Sequence, residues 1–336
     1  MRRAVAEGRA AQSTAPRSAV PSHKQVEQVF RTRRRMLWGL CYRLTGVAAD
    51  ADELLQETFT RAIERPPLAV NDEWHRWLVR VATNLSLDRL RARRRRTYVG
   101  SWLPSPIETP DALEPATDAA AGVEATYERM ESVSYAFLLA LEALTPKARA
   151  VLILCDVFDY PVNEVAGLLD TSEANVRVLH HRARRRMAVL HSDPRSMREL
   201  GPQIRRALET FMDCLRRQDV AGIEALLTES VRTVADGGGQ YTALHAPLVG
   251  RRRVMRFHLE TARRRAPISR FEMRVINGVP AVVIETAAVR ATMGPRVVLR
   301  CEIDPDGRIR ELHSILAPRK LTAVRFAASP PAPSDL

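Results

Sequence analysis

The hydrophobic period changes along this 336-residue chain, and that change limits what it can fold into. In the first two thirds, apolar residues recur at i, i+3 and i+4. Val29, Met36, Leu37, Leu40, Cys41 and Leu44 form one stripe; Leu54, Leu55, Phe59, Ala62 and Ile63 a second; Trp74, Trp77, Leu78, Val81, Ala82 and Leu85 a third. This is the rhythm of helices that each bury one face. Two further helical faces follow, Ile204 to Leu215 and Val220 to Leu227. β-type segments then dominate: 231–235, 270–276, 281–286, 296–303 and 308–315, with Asn277-Gly278 and Asp306-Gly307 as hairpin signals between them. With one more helix at about 252–264, the end of the chain reads as an α+β cone built on a curved antiparallel sheet. The expected fold is multidomain: two all-α domains, then the cone.

Composition sets the boundaries. Pro66-Pro67 ends the second helix and opens a loop. Residues 97–141 are rich in Pro, Ala and Thr and hold one arginine against seven acids, a net charge of −6. That reads as an acidic, partly extended linker. Thr145-Pro146 starts a helix, Asp159-Tyr160-Pro161 breaks the chain, a short helix spans about 162–169, and Ser172 caps a longer one over about 173–190. The expected division is a disordered tail at 1–24, a helical module at 25–96, the linker at 97–133, a second helical module at 134–192, the cone at 200–325 and a tail at 326–336.

A formal charge of +13 and a pI near 10.5 favour a polyanionic partner. Lysine occurs only at Lys24, Lys147 and Lys320, so GC-rich coding contributes to the total without explaining where the arginines cluster. Cys41, Cys155, Cys214 and Cys301 lie far apart and form no CxxC pair, which argues against a disulfide framework or zinc knuckle. No apolar run reaches about 18 residues, and the first 22 lack a signal-like apolar core. A cytoplasmic protein with no membrane partner is expected.

Residues 162–187 have helix-turn-helix proportions, a motif whose second helix enters the major groove with its N-terminal turns. Val176, Leu179, Ala183 and Met187 fall on its core side. Glu173, Asn175, Arg177 and His180 then face outward, where Asn suits adenine, Arg guanine and Glu cytosine. Arg182, Arg184, Arg185 and Arg186 suit phosphates. A helical hairpin with a solvated basic face gives the same pattern. In the first module, Arg80, Asn84, Asp88 and Arg91 read as one face opposite Trp77 and Val81. The tryptophans Trp74 and Trp77 fit either base stacking or a plain core. Asp50, Asp52, Glu53 and Glu57 sit early in the second helix, where its dipole favours acids, and equally make a protein-binding face.

Three stretches together resemble one family. The run from Asp50 to Phe59, and Trp77-Leu78 with Val81 to Asp88, resemble the second conserved region of extracytoplasmic-function sigma factors of RNA polymerase; Val176 to Arg185 resembles the fourth. Tyr98-Val99-Gly100-Ser101-Trp102-Leu103-Pro104 resembles the linker of a subgroup fused to a SnoaL-like, NTF2-like cone. Asp236-Gly237-Gly238-Gly239 and the run from Val275 to Ala281 resemble motifs of that extension. Ala317-Pro318-Arg319-Lys320-Leu321 stands where the subgroup carries Asn-Pro-Asp-Lys-Leu, so two of five positions depart.

The resemblance implies roles. Asp52, Glu53, Gln56 and Glu57 would dock on core RNA polymerase, through its β and β′ subunits. The loop at 66–72 with Asn71, and Arg80, Asn84, Asp88 and Arg91, would take the downstream promoter element. Ser172, Glu173, Asn175, Arg177, His180, His181, Arg182, Arg184 and Arg185 would read the upstream element. The acidic linker would thread polymerase channels built for nucleic acid. Asp236, Gly237, Gly238, Gly239, Asn277, Gly278, Pro318 and Lys320 would belong to an extension that regulates in cis. No cofactor, metal or catalysis is expected, the free protein is expected to be a monomer, and a small-molecule ligand of the cone is left open. The alternatives are a DNA-binding regulator not joined to polymerase, and a SnoaL-like isomerase or hydrolase. For the latter, Asp236, Tyr241, His245 and His313 are the available acid–base groups.

Overall fold

The computed structural model describes residues 23–65, 72–95, 98–108, 134–190, 197–264, 268–286 and 292–326. Three helices open it: α1 (His23–Thr45), α2 (Ala48–Glu64) and α3 (Asp72–Arg95). The second module holds α4 (Tyr135–Leu141), α5 (Pro146–Leu152) running into a π-helical turn (Ile153–Val157), α6 (Val162–Leu168) and α7 (Glu173–Leu190). The caps are those the sequence implies: Thr145 accepts the Ala148 N–H and Ser172 that of Asn175. The tight turn into α7 is made by Asp170 in the left-handed region, with the Thr171 N–H returning to the Ala166 carbonyl.

The two helical modules are not held apart. Leu37, Leu40 and Leu44 of α1, Phe59 of α2 and Leu78 of α3 join Leu138, Leu141, Val151, Val165 and Val176 in one buried cluster. Arg149, 2 % exposed, sits in the seam and donates to the carbonyls of Leu44 and Leu141 and to Glu142. Each donor that would be costly to bury unpaired thus finds a partner.

The cone is α8 (Met197–Arg217), α9 (Val220–Leu226), β1 (Leu227–Asp236), β2 (Leu248–Val249), α10 (Arg251–Arg264), β3 (Ile268–Ile276), β4 (Val279–Thr286), β5 (Arg296–Ile303) and β6 (Ile309–Ile315), then a 3-10 turn (Pro318–Lys320). The sheet order is β2-β1-β6-β5-β4-β3. β1 and β6 pair in parallel while the other pairs are antiparallel, so the sheet is mixed rather than antiparallel throughout. β1 and β6 are joined through the rest of the domain and not by a hairpin, and only such a long connection permits a parallel pair. Asn277 and Gly278, both at positive φ, make the two-residue hairpin turn between β3 and β4.

The sheet is covered on both faces. Val231, Val282, Leu299 and Leu312 face the helices α8–α10. Val234, Ala281, Val283, Val298 and Ile315 face Leu103, Tyr135, Leu321 and Val324. Within the first part of the linker, residues 103–107 therefore run buried between the first helical module and the sheet, while Val99 is exposed. Composition predicts a partly extended linker, and the described part of it holds no helix or strand; burial of Leu103, Ser105 and Ile107 fixes it against the fold instead of leaving it a free tether. The rest of the linker, with residues 66–71, lies outside the described residues.

Candidate nucleic-acid interface

On α7 the core side is Val176, Ala183 and Met187, with Leu179 half-buried, as the spacing requires. Ser172, Glu173, Asn175, Arg177, His181, Arg182, Arg184 and Arg185 are exposed, and His180 is half-buried. The exposed groups fall into two sets. Arg177 pairs with Glu173 at 2.7 Å, one turn back. Asp156, from the π-helical turn, holds His180 Nε2 at 2.6 Å and Arg184 Nε at 3.1 Å. Glu173, Arg177, His180 and Arg184, spaced by three or four, thus form one charge-compensated strip. Arg182, Arg185 and Arg186 carry no ion pair among the described residues. The Asn175 amide donates to the Thr171 hydroxyl at 2.8 Å.

On α3, Arg80, Asn84, Asp88 and Arg91 are exposed together. The expected relation to the tryptophans is corrected. Trp77 and Val81 are not opposite this face but on it, since Trp77, Asn84 and Arg91 repeat every seven residues, as do Val81 and Asp88; the buried side is Leu78, Val79, Ala82, Ser86 and Leu90. Trp74, 5 % exposed, is core, while Trp77 is half-buried beside the polar groups. Arg91 pairs with Asp88 at 2.8 Å. Asn71 lies outside the described residues.

The acidic face of α2 is partly occupied. Asp52 accepts from the Trp38 indole at 2.7 Å, Glu57 pairs with Arg61, and Gln56 is exposed. Glu53 lies between Arg89 of α3 (3.0 Å) and Arg319 of the 3-10 turn (2.7 Å), and both arginines also reach Asp50. Partial burial raises the Glu53 pKa, but the two guanidinium hydrogen bonds outweigh it and hold the carboxyl below its ordinary value.

Asp236 is the knot of the junction. Its carboxylate accepts from the Tyr98 hydroxyl (2.6 Å), the Leu103 N–H (2.8 Å), the Gly238 N–H (3.0 Å) and the Lys320 ammonium. Gly237 must be glycine, because a Cβ there would meet the Tyr241 carbonyl at 2.3 Å. Pro318 opens the turn that aims Lys320 inward, over the Trp102 and Tyr98 rings. Burial lowers the Lys320 pKa to about 8 against the pull of Asp236. Gly239 approaches the Val99 side chain. Asn277 does more than turn the hairpin: its side chain accepts the Ile107 N–H at 3.1 Å and donates to the Tyr42 hydroxyl of α1 at 3.1 Å. Tyr42 in turn donates to the Ser105 carbonyl at 2.7 Å. A cleft of about 820 Å³ opens beside this knot, between Asp50, Arg89, Trp102, Gly238 and Arg319.

The four acid–base groups of the cone do not converge. Asp236 is consumed by the knot. His313, on the sheet face away from the helices, bonds Glu311 and Arg300 through its two nitrogens, against the Tyr135 ring. Tyr241 packs on the helix side of the sheet, and His245 is exposed. Arg149, Asp156, Tyr42 and Arg319 were not singled out by the sequence as site residues; a lone charge in an apolar run is the one hint for the first two.

No helix among the described residues is long and apolar enough to cross a membrane. Residues 29–96 match the profile of Sigma-70 region 2, and residues 134–187 that of Sigma-70, region 4. The ECF RNA polymerase sigma factor SigJ of Mycobacterium tuberculosis is 32 % identical over 304 residues, covering 87 % of this chain and 92 % of SigJ. The probable ECF RNA polymerase sigma factor SigI of the same species is 26 % identical over 90 % of this chain and 97 % of its own. The crystal structure of Mycobacterium tuberculosis SigJ superposes with a TM-score of 0.62 at 28 % identity, covering 88 % of this chain and 98 % of that one. A region 2 bundle and a region 4 helix-turn-helix, joined in order and followed by a cone through which the likeness to SigJ continues, leave one conclusion: the chain belongs to the ECF RNA polymerase sigma factors.

Proposed function

We propose that this sigma factor directs core RNA polymerase to promoters from an opened arrangement, and that its C-terminal cone regulates it in cis by holding regions 2 and 4 together. In this reading α2 docks on polymerase through Asp52, Glu53, Gln56 and Glu57. Arg80, Asn84, Asp88 and Arg91, with Trp77 beside them, meet the downstream element, and α7 reads the upstream one. The observation that carries it is the common core of the two modules, sealed by Arg149 and backed by the buried segment 103–107. Two DNA-reading surfaces that serve separate elements must be spaced by the promoter; here they are spaced by each other. The cone supports the closed form through the Asp236–Lys320–Tyr98 knot and the Asn277–Tyr42 bond. A small molecule in the cleft beside the knot would shift this equilibrium only by binding one arrangement better.

The test uses the whole chain. A dye pair at the exposed Arg95 on α3 and Val189 on α7, both outside the assigned reading residues, reports the separation of the modules. Adding core polymerase should lengthen that distance and enable run-off transcription from a defined start. Transcription with an unchanged distance would remove the opening step, and no defined start at all would remove the promoter-reading assignment.

A further inference from the structure

We propose that Asp156 is the specificity-positioning residue of region 4, setting the side chains through which α7 discriminates between promoter sequences. The inference rests on the promoter-reading function argued above and divides the α7 residues in a way the sequence does not.

Asp156 is not on α7. It sits in the π-helical turn 153–157, where one extra residue per turn re-aims a side chain that a regular α-helix would send elsewhere. From there a single carboxylate holds two α7 groups one turn apart, His180 at 2.6 Å and Arg184 at 3.1 Å, each through a different oxygen. The Asp156 and His180 side chains are only about a quarter exposed, while Arg184 stands 67 % exposed. The strip continues to Arg177 and its partner Glu173.

Charge compensation has opposite value for the two jobs an α7 side chain can do. Gripping phosphate needs an unpaired cation, because affinity comes from releasing counterions, and a neighbouring carboxylate cancels that gain. Reading a base edge needs a group held in one orientation, since the discrimination is geometric. Arg182, Arg185 and Arg186, without ion-pair partners among the described residues, suit the first task. The strip of Arg177, His180 and Arg184, held by Glu173 and Asp156, suits the second. Arg184 therefore leaves the phosphate-gripping set in which the run of arginines places it.

The two roles give Asp156 an unusual signature: its loss weakens discrimination without weakening binding. The substitution Asp156→Asn is isosteric and removes the charge. Wild-type and variant chains are assembled with core polymerase and used to enrich duplexes from a library randomised across the upstream element. The selected and a scrambled duplex are then titrated over a range of salt. The expected result for Asp156→Asn is a preference for selected over scrambled duplex that falls about tenfold. Affinity for the scrambled duplex is unchanged or higher, with a salt slope steeper by about one. Asp156→Glu should restore part of the preference. An unchanged enriched sequence in Asp156→Asn would overturn the proposal, as would a parallel loss of affinity for both duplexes, which marks a damaged fold. A wild-type holoenzyme that enriches no sequence would instead remove the promoter-reading function on which the proposal stands.

Discussion

His258 of α10 has its imidazole buried, with Nε2 3.0 Å from the Thr233 hydroxyl and the Phe211 ring edge-on at 5.4 Å. Burial lowers its pKa from 6.5 to about 4. Between those values the unfolded chain binds a proton that the folded chain refuses, so stability falls as pH drops through that window, by about 3 kcal/mol in all. Glu311 titrates lower. Burial raises its pKa, but the hydrogen bonds from His313 and Arg232, with the Arg232 charge, bring it down from 4.5 to about 2. Its contribution is complete above pH 4.5 and is lost as pH falls toward 2. Urea unfolding of the whole chain across pH 2–7 should therefore show two acid-sensitive windows. His258→Leu should flatten the upper and Glu311→Gln the lower, each leaving the other slope in place. A single slope that neither substitution alters would contradict both assignments.

Among the elements, α5 and its π-helical continuation link the modules. Arg149 on α5 bridges the end of α1 to α4 from within the shared core, through carbonyls that have no solvent to fall back on. Arg149→Leu keeps the bulk but orphans those carbonyls and leaves Glu142 to Arg93 alone. It should cost about 2–4 kcal/mol in chemical denaturation and lengthen the α3–α7 dye distance even without polymerase. The elements themselves were legible: Glu173–Leu190 has the predicted bounds, and Val162–Leu168 differs by one residue, because Ser172, Pro161 and Asp170 are local signals. What was not legible depends on pairing over long separations. The parallel β1–β6 ladder joins residues about eighty apart, and segment 103–107 is held by partners on α1, β1 and the β3–β4 turn that its own composition does not reveal. The outward residues of α7 could be named from periodicity, but their division into paired and unpaired sets could not, because the deciding carboxylate comes from another element. On α3 the polar face was found, yet Trp77 was assigned to the wrong side of it.

Across the whole molecule, the proposed closing and docking would both be felt at Arg319, where the sequence departs from the subgroup's motif. Where the subgroup's motif carries Asp, this chain places a guanidinium that bonds Glu53 at 2.7 Å and Asp50 at 2.9 Å, on the helix that the docking assignment gives to polymerase. An Asp at that position would repel the same two carboxylates. Arg319 is more than half exposed, so the pair is screened and its net worth is at most about 1 kcal/mol, no more than roughly a fivefold effect on an equilibrium. On the proposed reading it tunes the closed state without locking it, the part given there to the buried Asp236 knot. Arg319→Ala should therefore tighten core polymerase binding by up to about fivefold at low salt. Arg319→Glu should tighten it further by repulsion, and raised ionic strength should erase the difference between wild type and Arg319→Ala. Affinity measured by fluorescence anisotropy of the labelled full chain decides the sign. Weaker binding in Arg319→Ala would mean that the cone helps present Glu53 to polymerase instead of competing for it.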